Sequence, residues 1–340
     1  MNPVTKAAVY VRVMSRELDP VLRPEEQRRR LTEFVGRRGW ELAGVYEDTG
    51  PDAIPVKMTA LQDALENSTG FDRLVVLRLD RLGTRSPRRV QSILNRLGKS
   101  GCALVSLEDR FDTGEESGKA VVSIVSAFAA GAPRPWVCGG WDQESLTDHG
   151  FAPATIIDVG AADGTKPLYQ AFPDAYRVLI EPLAEFEPDL QSLASGQGEY
   201  VATAVGATEG TVRLAIPDNL RMTSALAAVE ALPLTSSREV PVTTLDSLLG
   251  GRNWKAPFGL KVDVEGFEHE VIEGASRLLQ ETQFVIAEVS ITRRFRGERS
   301  CAELIEMMSA RGFEVSDVLD AGRSLLGIHA DLLFGRSAVS

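Results

Sequence analysis

The chain has 340 residues, 44% of them hydrophobic and 25% charged, which is the balance of an ordinary folded globular protein. Single hydrophobic cores rarely grow beyond about 250 to 300 residues, so this length predicts two domains. No stretch approaches the roughly 18 consecutive apolar residues of a membrane span, and residues 1–10 lack the apolar core of a secretion signal. The cysteines Cys102, Cys138 and Cys301 are scattered and odd in number, which argues against a disulfide framework and predicts a cytoplasmic protein with no membrane partner.

The net charge of −11 is distributed unevenly along the chain. Residues 1–130 contain 20 basic and 18 acidic side chains, whereas residues 131–340 contain 17 and 30. An acidic second half is a poor partner for the phosphates of DNA. The basic clusters of the first half, such as the three arginines at 28–30, are interpreted as solvated helix faces, so DNA is not expected as a partner.

Strands and helices alternate over the first 130 residues, and this alternation predicts a parallel α/β sheet. Short apolar runs predict the strands, and apolar residues at helical spacing predict the helices. The predicted strands are 7–13, 42–46, 74–77 and 103–107, and the predicted helices are 24–39, 58–66, 86–97 and 118–130, with a polar loop at 47–55.

This first half resembles the catalytic domain of the serine recombinases, the resolvases and invertases. The matching pieces, which together cover about residues 4 to 130, are Y-V-R-V at 10–13, Gln27, Y-E-D-T-G at 46–50, L-D-R-L-G at 79–83 and F-D-T at 111–113. The resemblance implies a resolvase-like parallel α/β domain, in a family whose serine nucleophile attacks the phosphate of DNA.

Several positions depart from that family pattern. Met14 stands where the family has its serine, and a thioether cannot be a phosphoryl acceptor. Ser15 is adjacent, but one residue further along a strand points to the opposite face. The family's next arginine falls on Thr84, with Arg85 one place late, and no helix-turn-helix segment follows. We therefore predict an inactive recombinase-like domain over 1–130 that serves as a folded cap or as a homodimerisation module.

Residues 131–150 are predicted to be a linker, because 131–140 are rich in glycine and proline, with a short helix over 143–150. A second alternating pattern follows. Its predicted strands are 155–159, 177–180, 199–205, 211–216, 240–244, 259–264 and 284–289, its helices are 267–279 and 300–311, a polar insert covers 217–238, and a closing hairpin covers 312–318 and 330–334.

The strand 155–159 runs into a glycine-rich turn, G-A-A-D-G at 160–164, and then into a helix. Glycines let the backbone turn tightly, and a helix start offers unpaired N–H groups. A dinucleotide site would show G-x-G-x-x-G, whereas this turn holds Asp163, which suits a cationic or hydroxyl-bearing ligand better than a pyrophosphate. The next strand ends at Glu181, whose carboxylate can hold two ribose hydroxyls. The pattern is that of Rossmann-like methyltransferases and predicts S-adenosylmethionine (SAM) as the cofactor.

A second block, K-V-D-V-E-G-F-E at 261–268, raises the specificity of this interpretation. Together with the turn, Glu181 and shorter matches at 204–206, 209–210, 244–246 and 273–275, it resembles the FkbM-type SAM-dependent methyltransferases over residues 155 to 334. The resemblance implies a Rossmann-like class I methyltransferase sheet within 151–340 and a small-molecule or sugar hydroxyl as acceptor. The residues expected to bind the cofactor are Asp158, Gly160, Ala161, Asp163, Gly164, Glu181 and Ala204.

Methyl transfer to oxygen needs a sulfonium in line with the nucleophile and usually a base for the hydroxyl proton. The candidates for this chemistry are Asp263, Glu265 and His269, and Lys261 could hold a carboxylate in its charged form. Asp263 and Glu265 share a face if the strand continues to Glu265, and His269 follows Glu265 by one helical turn if the helix has begun. Alternatively, Lys261 and Asp263 are a structural ion pair and His269 is a surface residue.

Carboxylates this close could also hold Mg²⁺, but no further ligand cluster is evident and no metal site is predicted. Ser224 and Glu288 are secondary candidates for the acceptor pocket, whereas Glu268, Cys138 and Cys301 are interpreted as structural. Two other functions stay open at this point. One is a protein directed at DNA, either a recombinase or a DNA-binding regulator, and the other is a fusion in which neither half is active.

Overall fold

The computed structural model forms two compact units. The first comprises Met1–Pro135 with Ile291–Arg293 and Ser300–Glu303, and the second comprises Trp136–Ser290 with Arg294–Arg299 and Leu304–Ser340. The residues that the structure describes are 4–14, 23–50, 59–82, 87–115, 118, 121–122, 143–147, 149–228, 234–291, 293–323 and 328–336. Within these ranges, every helix is too short or too polar to span a membrane.

The first unit is built on a sheet whose described strands lie in the order β2-β1-β3-β4-β5. The strands are β1 Lys6–Met14, β2 Glu41–Gly50, β3 Arg73–Val76, β4 Ala103–Ser106 and β5 Phe111–Asp112. The α-helices are α1 Pro24–Arg37, α2 Thr59–Glu66 and α3 Pro87–Lys99, with 3₁₀ turns at Ser68–Gly70 and Leu79–Leu82. β1 pairs in parallel with β2 and β3, β3 pairs in parallel with β4, and β5 returns antiparallel to β4.

The core of this sheet follows from the apolar pattern of β1 and α1. Ala7, Val9 and Val11 lie on one face of β1 and are fully buried, as are Leu31 and nearly Val35 of α1. Positions 31 and 35 are one helical turn apart, so α1 presents one apolar stripe to the sheet. The predicted parallel α/β sheet is confirmed for this unit.

The polar loop predicted at 47–55 is wrong at its start, because β2 continues to Gly50 with its parallel pairing to Met14 of β1 unbroken. Within this part of β2, the buried carboxylate of Asp48 accepts the N–H groups of Ala60 and Leu61 at the start of α2. The rest of the loop lies outside the described residues. So do most of the predicted helix 118–130 and the Gly/Pro-rich stretch 131–140.

The second unit contains a larger sheet whose described strands lie in the order β14-β15-β13-β12-β6-β7-β8. Its strands are β6 Thr155–Val159, β7 Tyr176–Ile180, β8 Gly198–Val201, β12 Phe258–Val262, β13 Thr282–Ser290, β14 Phe313–Arg323 and β15 Ile328–Arg336. β8, β7, β6, β12 and β13 run parallel, and β15 and β14 close the edge as an antiparallel hairpin. The predicted Rossmann-like sheet is confirmed, and its order reverses between β6 and β12.

A smaller sheet stands beside it in the order β10-β11-β9, with β9 Ala204–Val205, β10 Gly210–Pro217 and β11 Leu234–Thr243. The single strand predicted over 199–205 is therefore divided between two sheets. The chain changes sheet after Val201, and the Thr203 hydroxyl donates to the carbonyls of Ala204 and Pro241 at 3.1 Å each. Periodicity alone cannot reveal such a break, since it does not indicate which sheet a strand joins.

The α-helices of the second half of the chain are short. They are α4 Glu144–Thr147, α5 Lys166–Ala171, α6 Glu187–Ala194, α7 Leu245–Gly250, α8 Glu268–Glu273 and α9 Cys301–Ser309, with 3₁₀ turns at Ala184–Phe186, Leu220–Met222 and Leu278–Glu281. Of the helix predicted over 267–279, only the first half forms an α-helix, which is α8. The strand predicted over 259–264 ends at Val262, because the backbone then enters a tight turn in which Glu265 and Gly266 have φ values of +54° and +98°.

Candidate active site

A cavity of about 630 Å³ lies at the carboxyl ends of the parallel strands of the second unit. In open α/β sheets this edge, at the point where the strand order reverses, is where ligands bind. The predicted site residues that line it are Gly160, Ala161, Asp163, Gly164, Glu181, Ala204, Lys261, Asp263, Glu265 and Glu288. Asp331 of β15 also lines it, and Pro182, Phe186, Val205, Leu214 and Phe267 supply apolar surface.

Gly160 begins the turn after β6 with a φ of +72°, in the left-handed region that favours glycine. A Cβ at this position would lie 1.9 Å from the carbonyl oxygen of Asp263. The N–H groups of Gly160 and Ala161 both donate to the carbonyl of Ile180, at 2.9 and 3.2 Å. The glycine is therefore required by a close approach of two chain segments.

The rest of the turn is held by neighbouring side chains. Gly164 has a φ of +92°, and a Cβ there would lie 2.4 Å from Leu193. Asp163 does not stand alone in the turn, since its carboxylate pairs at 2.5 Å with Arg221 of the 3₁₀ turn Leu220–Met222. Both partners are largely exposed, so the contact ties the polar insert to the turn across the mouth of the cavity without a large energy.

Glu181 stands at the end of β7 with its carboxylate oriented by the backbone. One oxygen accepts the N–H of Leu183 at 3.0 Å and the other accepts the N–H of Ala162 at 3.1 Å. Burial raises the pKa of Glu181 to about 7, and the two N–H donors oppose this rise while Asp158 adds to it. Each oxygen can still accept a further hydrogen bond, so the carboxylate can hold a pair of hydroxyls when it is ionised.

Asp158 is fully buried at the end of β6 and belongs to a network beneath the cavity. Tyr169 donates its hydroxyl to Asp158 at 2.5 Å and accepts the N–H of Thr165 at 3.0 Å. Lys261 of β12 lies 3.6 Å from Asp158 and 3.1 Å from Asp263. Burial disfavours the charged form of Lys261, but the two carboxylates outweigh it and raise the pKa of the ammonium. Asp158 is thus linked to the turn through Tyr169 and also contacts Lys261.

A second network brings together Glu265, Glu288 and Arg294, three buried or nearly buried side chains. Arg294 donates to Glu265 at 3.1 Å and to Glu288 at 2.6 Å. His329 of β15 lies 3.7 Å from the other oxygen of Glu288. Burial and the charge of Glu288 raise the pKa of Glu265 well above its usual range, and Arg294 opposes the rise.

Other predicted residues fall at the margins of the site. His269 is buried in α8 rather than a surface residue, and it is not among the described residues that line the cavity. Glu268 is structural, since its carboxylate accepts the N–H groups of Val264 and Gly266, and burial raises its pKa to about 8. Ser224 reaches the same loop by donating its hydroxyl to the carbonyl of Glu265 at 2.6 Å.

Asp263, Glu265 and Glu288 place one carboxylate oxygen each within 4.8 Å of one another, a spacing that a metal ion could use. Two of the three already accept from Arg294, and Asp263 accepts from Lys261. Each of the three acids therefore already contacts a cationic side chain of the protein, and Glu265 and Glu288 share one.

Sequence reasoning missed three participants in the site. Arg294 lies in an irregular loop after β13, Tyr169 lies inside α5, and Arg221 lies in the polar insert. Arg221 lies 58 residues from Asp163 and Arg294 lies 29 residues from Glu265, whereas Tyr169 follows Asp158 by 11 residues and Arg294 follows Glu288 by 6. Only the density of arginines over 293–299 hinted at a role for Arg294.

The first unit keeps some of the family's polar residues in an ordered arrangement. Tyr10 donates its hydroxyl to Asp48 at 3.0 Å, Gln27 donates to the carbonyl of Arg12 at 2.8 Å, and Arg81 is almost fully buried. Met14 ends β1 where the family has its serine. Ser15, Thr84 and Arg85 lie outside the described residues, as does Cys138, whereas Cys102 and Cys301 are buried.

Family comparisons match the two halves separately. Residues 7–132 match the family model described as the resolvase N-terminal domain, and residues 158–315 match the methyltransferase FkbM domain. The two resemblances read from the sequence are confirmed. No curated protein matches the chain.

Solved structures also resemble each half in turn. The N-terminal catalytic domain of TP901-1 integrase is 28% identical, covers 36% of this chain and 92% of its own, and gives a TM-score of 0.33. A resolvase family site-specific recombinase from Streptococcus pneumoniae is 25% identical, covers 37% and 86%, and also gives 0.33. Magnesium protoporphyrin IX methyltransferase (ChlM) from Synechocystis PCC 6803, with bound SAM, is 14% identical, covers 57% and 76%, and gives 0.34.

Proposed function

We propose that this chain, which carries a methyltransferase FkbM domain after a resolvase N-terminal domain, transfers the methyl group of SAM to a hydroxyl of a small molecule or sugar. FkbM domains use SAM, and the methyltransferase function rests on that match. The choice of a hydroxyl as acceptor goes beyond that match. It is supported by the carboxylates that line one cavity, which are Glu181, Asp263, Glu265 and Glu288.

The cofactor fits the residues at the turn. Glu181 in its ionised form would accept the two ribose hydroxyls, since both of its oxygens are already aimed by backbone N–H groups. The acidic side chains Asp163 and Asp263 line the same cavity and favour a sulfonium cation. Phe186 and Phe267 are among the lining side chains that offer apolar surface for an adenine. SAM supplies a methyl group on a positively charged sulfur.

The acceptor site must then supply in-line positioning and a proton acceptor. A hydroxyl has a pKa far above neutrality, so its attack is helped by a base that takes the proton as the new bond forms. Asp263 and Glu265 are our candidates for that base, with Lys261 holding Asp263, and His269 drops from the candidates because of its position. An acceptor that already carries a negative charge would meet three carboxylates, so a neutral hydroxyl suits the cavity best.

We propose that the first unit does not recombine DNA, because Met14 cannot form a phosphodiester link. A role as a folded cap or homodimerisation module remains our expectation for it. The division of the chain into domains at 1–130 and 151–340 with a linker at 131–150, and a cytoplasmic location, are likewise proposals.

The experiment that tests the proposed function is a transfer assay with methyl-labelled SAM. Acceptors would be offered as matched sets on one ring scaffold that differ only in the reacting group, a hydroxyl, an amine, a thiol or a carboxylate. We expect label in an ether product from hydroxyl compounds. Transfer to the amine or carboxylate members with none to hydroxyls would contradict the proposal, while keeping the methyltransferase assignment intact.

A further inference from the structure

The loop after β12 holds an unusual backbone conformation. Glu265 has a φ of +54°, although it is not a glycine. Such conformations are strained, and they persist where the surroundings enforce them, often at functional sites. Two contacts enforce this one: Ser224 donates to the Glu265 carbonyl at 2.6 Å, and Glu268 accepts the N–H groups on either side, those of Val264 and Gly266. The side chain of Glu265 therefore leaves a fixed backbone and lines the cavity.

Arg294 fixes the other end of that side chain. Its guanidinium is only 2% exposed and uses three nitrogens on three partners: Glu265 at 3.1 Å, Glu288 at 2.6 Å and the Ser290 hydroxyl at 2.7 Å. Its backbone N–H donates to Glu298 at 2.9 Å. Because a planar guanidinium imposes its geometry on its partners, Glu265 and Glu288 are held side by side.

The charges around this pair do not balance. One guanidinium serves two carboxylates that both line the cavity, and Asp263, Glu268 and Glu298 add further negative charge nearby. His329 faces Glu288 at 3.7 Å, but burial lowers the pKa of its imidazole. Two carboxylates that share one cation in a buried place bind a proton more readily than a single carboxylate in water does. Burial and Glu288 accordingly raise the pKa of Glu265.

Asp263 is in a different position. Its side chain is 35% exposed, and Lys261, which also contacts Asp158, donates to it at 3.1 Å. The side chain of Glu265 is less exposed, at 14%, and lies beside a second carboxylate that shares its cation, so its surroundings favour the uptake of a proton. This difference in surroundings distinguishes Asp263 from Glu265, the two candidate bases that the sequence alone could not separate.

We propose that Glu265 is the general base of the methyl transfer and that Arg294 and Glu288 are positioning residues that hold and tune it. The inference rests on the proposed hydroxyl methylation. The acceptor oxygen forms a bond to the methyl carbon while the bond from carbon to sulfur breaks, and its electron pair stays on sulfur as S-adenosylhomocysteine (SAH) is formed. The hydroxyl proton passes to the Glu265 carboxylate and then leaves to solvent, so that the enzyme returns to its starting state.

The test compares Glu265→Gln with Glu199→Gln as a matched control. Glu199 is also a carboxylate paired with an arginine, Arg252 at 3.0 Å, but it lies on β8 and is not among the described residues that line the cavity. SAH release from SAM would be measured with methyl glucoside as a probe acceptor and with water alone. We expect Glu265→Gln to lower the rate by about a hundredfold or more, in line with general-base catalysis, with SAH affinity within threefold of the native chain. Glu199→Gln should keep both.

Arg294→Lys tests the positioning role. A lysine keeps the charge but cannot bridge two carboxylates in one plane, so we expect a lower kcat and a displaced pH profile with unchanged SAH affinity. A variant that lowers SAH affinity and the melting temperature but leaves the pH profile in place would show that Arg294 is merely structural.

A measurement without any acceptor completes the test. In the SAH-bound chain labelled with ¹³C at glutamate carboxyls, a resonance that titrates well above the usual range should vanish in Glu265→Gln and move to lower pH in Glu288→Gln, whereas those of Glu181 and Glu268, whose pKa values are also raised, should remain in Glu265→Gln. A Glu265 resonance that titrates in the usual range would overturn the inference, as would an unchanged rate in Glu265→Gln. Failure of the folded native chain to bind SAH would instead contradict the proposed function.

Discussion

Gly160 and Gly150 offer a matched pair of substitutions with a predictable difference. Their φ values are +72° and +71°, so an alanine meets the same left-handed backbone at both positions. At Gly150 no heavy atom lies within 4 Å of the added Cβ, whereas at Gly160 the Cβ would lie 1.9 Å from the carbonyl oxygen of Asp263. Gly150→Ala therefore isolates the conformational cost, and Gly160→Ala adds the collision to it.

The magnitudes follow from these two terms. The left-handed conformation costs an alanine about 1–2 kcal/mol at either position. The collision adds about 1–3 kcal/mol, the usual range for overpacking, because the obstacle is backbone and cannot rotate away. For a domain of this size each kcal/mol lowers the melting temperature by about 2–4 °C, so Gly160→Ala should melt roughly 2–12 °C below Gly150→Ala.

Differential scanning calorimetry of the full chain would measure this difference, with the transition of the second unit identified by its rise on addition of SAH. Gly160→Ala should also weaken SAH binding, because relief of the collision displaces the loop that carries Asp263. Equal melting temperatures for the two alanine variants would refute the reasoning, since they would show that Gly160 and Asp263 do not approach closely.

Three further predictions address the site. SAH affinity should fall about tenfold from pH 8 to pH 6, because protonation of Glu181 through its pKa of about 7 removes the form that accepts the ribose hydroxyls, and Glu181→Gln should show no such slope in calorimetric titrations. Arg221→Ala should speed SAH dissociation less than tenfold in stopped-flow experiments, since its ion pair with Asp163 is exposed, and Arg213→Ala should have no effect; a hundredfold change for Arg221 would contradict this. Lys261→Met should destabilise the fold by about 3–5 kcal/mol in urea titrations, because it leaves two carboxylates without their buried cation, and an unchanged midpoint would be contrary to the expected role.

The sequence predicted the sheets well because strong signals mark them. Short apolar runs such as 155–159 and 284–289 are buried strands in the structure. The glycine-rich turn lies directly after the first of these strands, where the sequence predicted it. Glu181 was predicted in the same way, from its place at the end of a strand, and it lines the cavity. These residues are tied to elements whose periodicity is visible in a single sequence.

The parts that the sequence could not predict depend on contacts between distant segments. Nothing local indicates that Gly160 must clear the carbonyl of Asp263, or that the strand over 199–205 changes sheet after Val201. Arg294 lies 29 residues from Glu265, in a loop without periodicity. The fold brings these groups together, and only the fold could separate Asp263 from Glu265 as candidate bases.

The most direct test of the account is calorimetric titration of the purified chain with SAH. We predict binding in the micromolar range that is lost or greatly weakened in Glu181→Ala and retained in Glu199→Gln, which has the same kind of carboxylate on the neighbouring strand. Absence of binding by a chain that melts cooperatively would contradict the account, because the cavity at the end of β6 would then not be a cofactor site.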